Sequence, residues 1–345
     1  MMKLEQIVRR NILNLIPYSS ARDEFKGKAS VYLDANENPY QLYRMNRYPD
    51  PLQWKVKAAI AEAKGVEKER IFLGVGSDEP IDNVFRVFCE PGKDNVVAIE
   101  PTYGMYKVAA EINNVEYRKV LLNESFDFTA DSLLQATDRH SKLIFLCSPN
   151  NPTGNCLNRN EIIRTVEQFN GIVVLDEAYI DFSGQPSFIG ELDRYPNLMI
   201  FQTFSKAWAS AAVRLGMAFA GADIIGIMNK VKYPYNINQL TQDYVLQMLS
   251  ERKQVQQWVD TLLKEREKLR QQLSELPCIE NLYPTDANFF LVKVANADAM
   301  YRFLIEKGVI VRNRNTVSLC AGCLRITVGT PEENKTLINA LQQFR

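Results

Sequence analysis

Short apolar runs rich in β-branched residues alternate with helix-like patterns through the first two thirds of the 345-residue chain, and this rhythm is the strongest constraint on its fold. The runs predict strands over residues 70–73, 95–99, 116–121, 142–147, 172–176, 199–203 and 217–220. The stretches between them predict helices over 77–88, 103–112, 129–136 and 158–168. Strands that alternate with helices are typical of a mostly parallel sheet with helices on both faces. We therefore predict an α/β fold.

The pattern changes after residue 220, where long helices take over. Helices are predicted over 239–249 and 252–276, then a strand at 288–294, a helix at 297–307, strands at 309–312 and 324–328, and a final helix from Pro331. Near the N terminus, Pro17 and Pro39 limit regular structure. We predict an irregular N-terminal segment (1–45), a large domain (46–250) and a smaller α+β C-terminal domain (251–345).

Charge and composition exclude several classes of protein. Lysine and arginine total 41 against 41 acidic residues, so the chain lacks the basic excess that nucleic-acid binding demands. The N terminus is charged where a signal peptide is apolar, and no apolar run reaches the length of a membrane span. Six cysteines are too few for a disulfide framework in so long a chain. We expect a cytoplasmic protein with reduced thiols that binds neither nucleic acid nor membranes.

The chain contains one histidine, and this count restricts its chemistry more than any other. His140 lies in a polar stretch that indicates a solvated loop, and a metal site built from several histidines is excluded. A serine–histidine–aspartate triad would have to use this residue. Cys320 and Cys323 form the only Cys-x-x-Cys pair, and no second pair completes a zinc site. We predict no bound metal.

Four polar segments directly follow predicted strands, and ligands of such sheets bind beyond the carboxyl ends of the strands. They are residues 74–79, 147–154, 176–179 and 203–206, with Arg214 eight residues beyond Lys206. Taken singly, each also fits an ordinary feature: a capped helix start, a proline turn, a capping aspartate and an exposed lysine. Together they offer a phosphate-binding helix N terminus, a rigid amide, an acid and a lysine. This set indicates a site for pyridoxal 5′-phosphate.

The motifs and their order resemble those of the fold-type I, class II pyridoxal-phosphate-dependent aminotransferases, and most closely their histidinol-phosphate branch. The matching motifs are NLIPY (14–18), NENP (36–39), RYP (47–49), GSDE (76–79), PTY (101–103), NPTG (151–154), DEAY (176–179), SK (205–206) and LRITVG (324–329). The NLIPY and RYP motifs are the ones more particular to the histidinol-phosphate branch. The resemblance covers nearly the whole chain and implies a large domain with a mostly parallel sheet flanked by helices, followed by a smaller α+β domain.

The resemblance assigns the cofactor site residue by residue. Lys206 would be the catalytic lysine that bonds the cofactor, and Asp176 would be the partner of its ring nitrogen. Asn151 and Tyr179 would bond the ring hydroxyl, and Tyr103 would stack on the ring face. The implied phosphate ligands are Ser77, Asp78, Thr203, Ser205, Arg214 and, from the second subunit of a homodimer, Tyr48.

The resemblance also implies the substrates. Arg325 would bind the substrate anion, with Arg312, Tyr18 and Arg22 around it. The implied reaction is transamination of histidinol phosphate with 2-oxoglutarate, which gives imidazole-acetol phosphate and glutamate in histidine biosynthesis. An aromatic amino acid aminotransferase or a phosphothreonine-type decarboxylase would share every cofactor residue and differ only in the substrate pocket. A regulatory pyridoxal-phosphate-binding protein would carry a fused DNA-binding segment or lack the lysine, and the sequence shows neither feature.

The chain departs from the family pattern at two places. Ala212 stands where the family usually has glycine, two residues before the phosphate-binding arginine. The segment after Asn38 and Pro39 lacks the Gly-Pro pair of many relatives. The first change slightly weakens the expected phosphate site but removes no functional group, and the second leaves the contact near the substrate entrance open.

Overall fold

A seven-stranded sheet, here called the large sheet, forms the centre of the fold. The structure, a computed structural model, describes residues 4–20, 25, 27 and 29–344. The strands are β1 (Ile71–Val75), β2 (Asn95–Glu100), β3 (Glu116–Leu121), β4 (Ser141–Cys147), β5 (Ile172–Asp176), β6 (Leu198–Thr203) and β7 (Leu215–Phe219). Their order is β1-β7-β6-β5-β4-β2-β3, and only β7 runs antiparallel to its neighbours. The predicted mostly parallel sheet is confirmed.

Helices cover both faces of this sheet. They include α1 (Leu4–Ile7), α2 (Arg10–Leu13), α3 (Trp54–Lys64), α4 (Asp78–Phe88), α5 (Met105–Ile112), α6 (Ala130–Gln135), α7 (Arg159–Gln168), α8 (Ala222–Val231) and α9 (Gln239–Ser250). Side chains of a strand alternate between the two faces, so β5 contributes Val173 and Leu175 to one apolar core and Ile172 and Val174 to the other. A continuous apolar run is therefore what this position requires.

The strand directions bring the polar segments to one edge of the sheet. Strands β1, β2, β4, β5 and β6 point the same way, so the residues that follow them meet at their carboxyl ends. Because β7 is reversed, its beginning lies at that same edge, and Arg214, which directly precedes β7, joins the residues that follow the parallel strands.

A second sheet, here called the small sheet, has four antiparallel strands. They are β8 (Asn281–Leu282), β9 (Phe289–Lys293), β10 (Arg312–Asn313) and β11 (Cys323–Thr327), in the order β10-β11-β9-β8. The helices of this part are α10 (Arg252–Ser274), α11 (Ala297–Glu306) and α12 (Pro331–Leu341). Leu324, Ile326, Met300 and Leu337 belong to its own apolar core. The predicted α+β unit is present.

Helix α10 belongs to both cores. Val255 and Val259, near its start, are buried in the core of the large sheet, whereas Leu269 and Leu273, near its end, are buried with the small sheet. The predicted domain boundary at 250/251 falls just before this helix. That division of the chain stays a prediction, because the helix packs on both sides of it.

Several helices and strands differ from the predictions. Helix α3 was not predicted because its buried face includes Lys57, which interrupts the apolar stripe. Helix α8 was not predicted because Ile224, Ile225 and Ile227 resemble a strand in sequence. The strand predicted over 309–312 is reduced to Arg312–Asn313, since Ile310 is exposed and has no apolar core to face. Within the described residues of the N-terminal segment, the only regular elements are α1 and α2.

The described residues contain no helix that is both long and apolar enough to cross a membrane. In the same residues, no group of three or more potential ligand side chains is arranged to hold a metal ion. All six cysteines are free thiols, and Cys320 and Cys323 are buried.

Candidate active site

A pocket of about 820 Å³ opens at the carboxyl edge of the large sheet, and β10 and β11 of the small sheet form its opposite wall. The predicted site residues that line it are Ser77, Asp78, Tyr103, Asn151, Asp176, Tyr179, Thr203, Ser205, Lys206, Arg214, Arg312 and Arg325. Side chains from five strand ends and from the small sheet therefore converge on one space, as the strand directions require.

Asp176 ends β5 and lies at the bottom of the pocket, where only 3% of the residue is exposed. Its Oδ2 accepts a 2.7 Å hydrogen bond from the Tyr106 hydroxyl, and its Oδ1 accepts a 3.0 Å bond from the Ala178 backbone N–H. Burial raises the pKa of this carboxyl, and the two hydrogen bonds oppose the rise. A buried carboxylate held in this way fits a cationic ring nitrogen, which would supply the positive charge that its surroundings lack.

Tyr106 is a site residue that the sequence reasoning missed. It is fully buried and stacks on Phe145 with ring centroids 4.8 Å apart. Its hydroxyl donates to Asp176, although Tyr106 itself does not line the pocket. The available signal was its place in the sequence: Tyr106 follows Tyr103 by three residues, and the two rings are in edge contact with centroids 5.6 Å apart. An aromatic residue in a buried helix is otherwise interpreted as part of the apolar core.

Lys206 lies in the loop that follows β6. The hydroxyl of Thr203 shapes this loop by accepting a 3.1 Å hydrogen bond from the Ser205 backbone N–H. The Lys206 Nζ lies 5.4 Å from the centre of the Tyr179 ring. Burial lowers the pKa of the amine, the Arg325 guanidinium lowers it further, and the Asp176 carboxylate opposes both. A lowered pKa leaves more of the amine neutral, which is the form that can act as a nucleophile or accept a proton.

The glycine turn before α4 forms a narrow cradle with Arg214. Gly76 has a φ of +66°, and a Cβ there would come within 2.4 Å of the Arg214 guanidinium. Arg214 is itself left-handed, with a φ of 57°. Its Nη2 donates to the Asp78 Oδ2 at 3.4 Å, and the Tyr103 hydroxyl donates to the Asp78 Oδ1 at 3.2 Å. A glycine turn, a helix N terminus and an arginine fit a phosphate group.

Asn151 connects the two walls of the pocket. Its Nδ2 donates to the Tyr179 hydroxyl at 3.5 Å, and its Oδ1 accepts a short hydrogen bond from the Arg325 guanidinium. Arg325 also lies over the Phe289 ring, 5.2 Å from its centre. Burial raises the pKa of Tyr179 and lowers the pKa of Arg325.

Two other predicted residues, Tyr48 and Tyr18, do not line the pocket in the single chain. Tyr48 is 51% exposed and stacks on Tyr235, with ring centroids 4.4 Å apart. Tyr18 is 75% exposed. Arg22 lies outside the described residues. Arg314 lines the pocket but was not predicted, although it follows Arg312 at the two-residue spacing that puts strand side chains on one face.

Comparisons with known proteins identify the family of the chain. A family model described as aminotransferase class I and II matches residues 33–341. The histidinol-phosphate aminotransferase of Bacteroides thetaiotaomicron is 59% identical over all of both chains. The crystal structure of the histidinol-phosphate aminotransferase from Clostridium acetobutylicum superposes with a TM-score of 0.80 at 22% identity, over 86% of this chain and 90% of that one. The enzyme of the same name from Sinorhizobium meliloti, in complex with pyridoxal 5′-phosphate, has a TM-score of 0.77 at 20% identity, over 87% and 83%.

The two solved structures share the fold, and the full-length relative and the family model establish descent. The chain belongs to the class I and II aminotransferase family.

Proposed function

We propose that this protein transfers the amino group of histidinol phosphate to 2-oxoglutarate by means of pyridoxal 5′-phosphate, which gives imidazole-acetol phosphate and glutamate in histidine biosynthesis. One observation carries the proposal: a lysine of lowered pKa shares the pocket with a buried carboxylate and with Arg312, Arg314 and Arg325, which have no acidic partner among the described residues. The name of the full-length relative supports the same substrate.

The residues of the pocket fit pyridoxal phosphate. Lys206 would attach the cofactor, Asp176 would face its ring nitrogen, and Tyr103 would cover the ring. Asn151 and Tyr179 would bond the ring hydroxyl. The phosphate ligands would be Ser77, Thr203, Ser205 and Arg214, with Asp78 orienting Arg214 through the bond between their side chains. When bound, the cofactor supplies an electrophilic carbon and a ring that draws electrons away from the reacting carbon.

Lys206 would move the proton that transamination requires. Its Nζ is held in the pocket, and burial favours the neutral amine that can accept a proton from the substrate carbon. Once protonated, the ammonium is stabilised by the Asp176 carboxylate, which raises its pKa. The same atom can therefore accept a proton and return it, as general acid–base catalysis demands.

Asp176 would hold a fixed negative charge against the ring nitrogen. The Tyr106 hydroxyl and the Ala178 N–H orient its two oxygens, so the carboxylate does not have to reorganise during the reaction. Burial makes this charge effective, because little water screens it.

The substrate anion would bind to Arg325 and Arg312, with Tyr18 and Arg22 near the entrance. Histidinol phosphate has no carboxylate, so its phosphate must take the anion site, whereas glutamate must use a carboxylate there. Arginine can bind either group in a bidentate manner. Arg325 also donates a hydrogen bond to Asn151, one of the proposed cofactor ligands.

The proposal includes a cytoplasmic homodimer in which Tyr48 reaches the cofactor phosphate of the partner subunit. The segment before Tyr48 exposes Tyr40, Leu42 and Tyr43 almost completely, and such apolar clusters mark protein interfaces. Sedimentation of the purified protein should show a dimer. An active monomer would contradict this assignment of Tyr48.

The decisive experiment compares half-reactions of the purified, pyridoxal-phosphate-loaded protein. Histidinol phosphate, unphosphorylated histidinol and phenylalanine are each mixed with it, and the loss of the cofactor absorbance band is timed. We expect histidinol phosphate to react far faster than the other two amines. Equal rates with the two histidinols would refute the phosphate site, and a faster reaction with phenylalanine would indicate an aromatic amino acid aminotransferase. Release of carbon dioxide from a phosphorylated amino acid would indicate the decarboxylase.

A further inference from the structure

Three arginines project from one face of the small sheet. Arg312 of β10 is the direct partner of Arg325 in β11, and the Arg314 backbone N–H donates to the Cys323 carbonyl at 2.9 Å, which continues the same register. Since side chains two residues apart share a face, Arg314 lies beside the Arg312–Arg325 pair. All three line the pocket. Like charges opposite each other destabilise a sheet, so the three arginines lower the stability of the fold until an anion binds between them.

Within the part of the chain that the structure describes, no acidic side chain forms an ion pair with any of these three arginines. Neither Arg312 nor Arg314 has an ion pair or a side-chain hydrogen bond there, and the Arg325 side chain donates a hydrogen bond only to the neutral Asn151. The Arg314 Nε is buried without a hydrogen-bond partner. Burial, and then the charges of Arg325 and Arg312, lower the pKa of Arg314 to about 10, so it stays charged at neutral pH.

The number of arginines points to the kind of anion. A carboxylate has two oxygens and one negative charge, and two arginines can satisfy it. A phosphate monoester has three terminal oxygens and carries nearly two charges at neutral pH. A third arginine therefore gains an acceptor only when the ligand is a phosphate. Among the three, Arg314 combines partial burial with an unpartnered Nε, whereas Arg312 is exposed and Arg325 is already bonded.

We propose that Arg314 is a specificity-determining residue that binds the phosphate of the amino donor and contributes little to glutamate binding. This inference rests on the proposed function, because it concerns how the same pocket distinguishes the two substrates. It adds to the anion site a residue that is needed for one half-reaction and dispensable for the other.

Binding of inorganic phosphate tests the inference without any turnover. Isothermal titration of the pyridoxal-phosphate-loaded protein should show phosphate binding that weakens about 10- to 100-fold in Arg314→Gln, the range for one lost charged hydrogen bond or two. Arg314→Lys keeps the charge but loses the planar guanidinium fork, so its affinity for phosphate should lie between those of the wild type and Arg314→Gln. Arg302→Gln, at an exposed position of α11, should bind as the wild type does. Unchanged phosphate binding in both Arg314 variants would overturn the inference.

Half-reactions supply the second test. Arg314→Gln should raise the KM for histidinol phosphate about tenfold or more and leave the KM for glutamate within about twofold. The effect should be larger at pH 8 than at pH 5, because a phosphate monoester gains its second charge near pH 6. An equal increase in KM for both substrates, or an increase that does not depend on pH, would indicate that Arg314 has only a structural role. If the wild type failed to use histidinol phosphate, the proposed function would fall, whereas the inorganic phosphate titration would still judge Arg314.

Discussion

The charged side chains on the two walls of the pocket differ in whether they have bonding partners. On the large-sheet wall, the carboxylates of Asp176 and Asp78 both accept hydrogen bonds from neighbouring side chains or backbone. On the small-sheet wall, Arg312 and Arg314 have no such partners among the described residues, and Arg325 has a neutral one. A preorganised wall suits a group that stays bound through every cycle. A wall with unpaired charges suits ligands that arrive and leave, because each one restores the missing partner.

The largest effect is expected on the large-sheet wall, at Lys206. Lys206→Ala removes the amine that we propose attaches the cofactor and moves the proton, and the lost proton transfer alone should lower turnover about 10²- to 10⁴-fold. Borohydride reduction followed by peptide mass analysis should find the cofactor on Lys206 in the wild type and on no lysine in the variant. Lys264→Ala, at an exposed position of α10, is the matched control. A reduced adduct on another lysine would contradict the assignment.

The large-sheet wall is tested by Asp176→Asn. Turnover should fall roughly 10²- to 10³-fold, as when another fixed electrostatic stabiliser is removed. Because burial raises the pKa of Asp176, its charge is unfavourable in the cofactor-free fold, and the variant should unfold at a slightly higher temperature without cofactor. Activity and stability should thus move in opposite directions. Asp243→Asn, an exposed position in α9, should change neither. Near-normal turnover in Asp176→Asn would remove Asp176 from its role.

The small-sheet wall is tested by comparing Arg325→Leu with Arg312→Leu. Arg325 bonds Asn151, so its loss should impair both half-reactions, each about 10- to 100-fold. Arg312→Leu and Arg22→Leu should impair the reaction of histidinol phosphate more than that of glutamate. For each variant, the measured quantity is the ratio of the half-reaction rates with histidinol phosphate and with glutamate. Arg302→Leu is the control. Identical ratios in all variants would mean that the wall does not distinguish the substrates.

The smallest effect is expected behind the large-sheet wall, at Tyr106. Tyr106→Phe removes a hydrogen bond that lowers the pKa of Asp176, so this pKa should rise. Asp176 would then take up its proton at a higher pH, and the acid limb of the kcat profile should move upward by a similar amount. The control is Tyr195→Phe, which removes a comparable hydrogen bond outside the pocket. There the Tyr195 hydroxyl donates to the Glu167 carboxylate at 3.2 Å. A uniform loss at every pH would indicate a packing role only.

The residues that line the large-sheet wall could be predicted from the sequence far better than the residues that hold them in place. Residues such as Asp176 and Lys206 could be found because each directly follows an apolar strand, and parallel strands end at one edge. The reversal of β7 could not be read from its residues, since apolar runs look alike in both directions. Tyr106 was missed because a buried aromatic residue in a helix has the same pattern whether or not its hydroxyl is used. Arg314 was missed because β10 is too short to show its alternation.

Helix α10 limits how this protein can exchange parts with its relatives. The obvious place to join two genes is the loop at residue 250, but a chimera made there would set the foreign counterparts of Val255 and Val259 against the core of the large sheet. A junction after Ser274 would do the same to the small sheet through Leu269 and Leu273. Recombination should therefore be tolerated best inside the helix, between Val259 and Leu269, where each parent keeps the half of the helix that fits its own core.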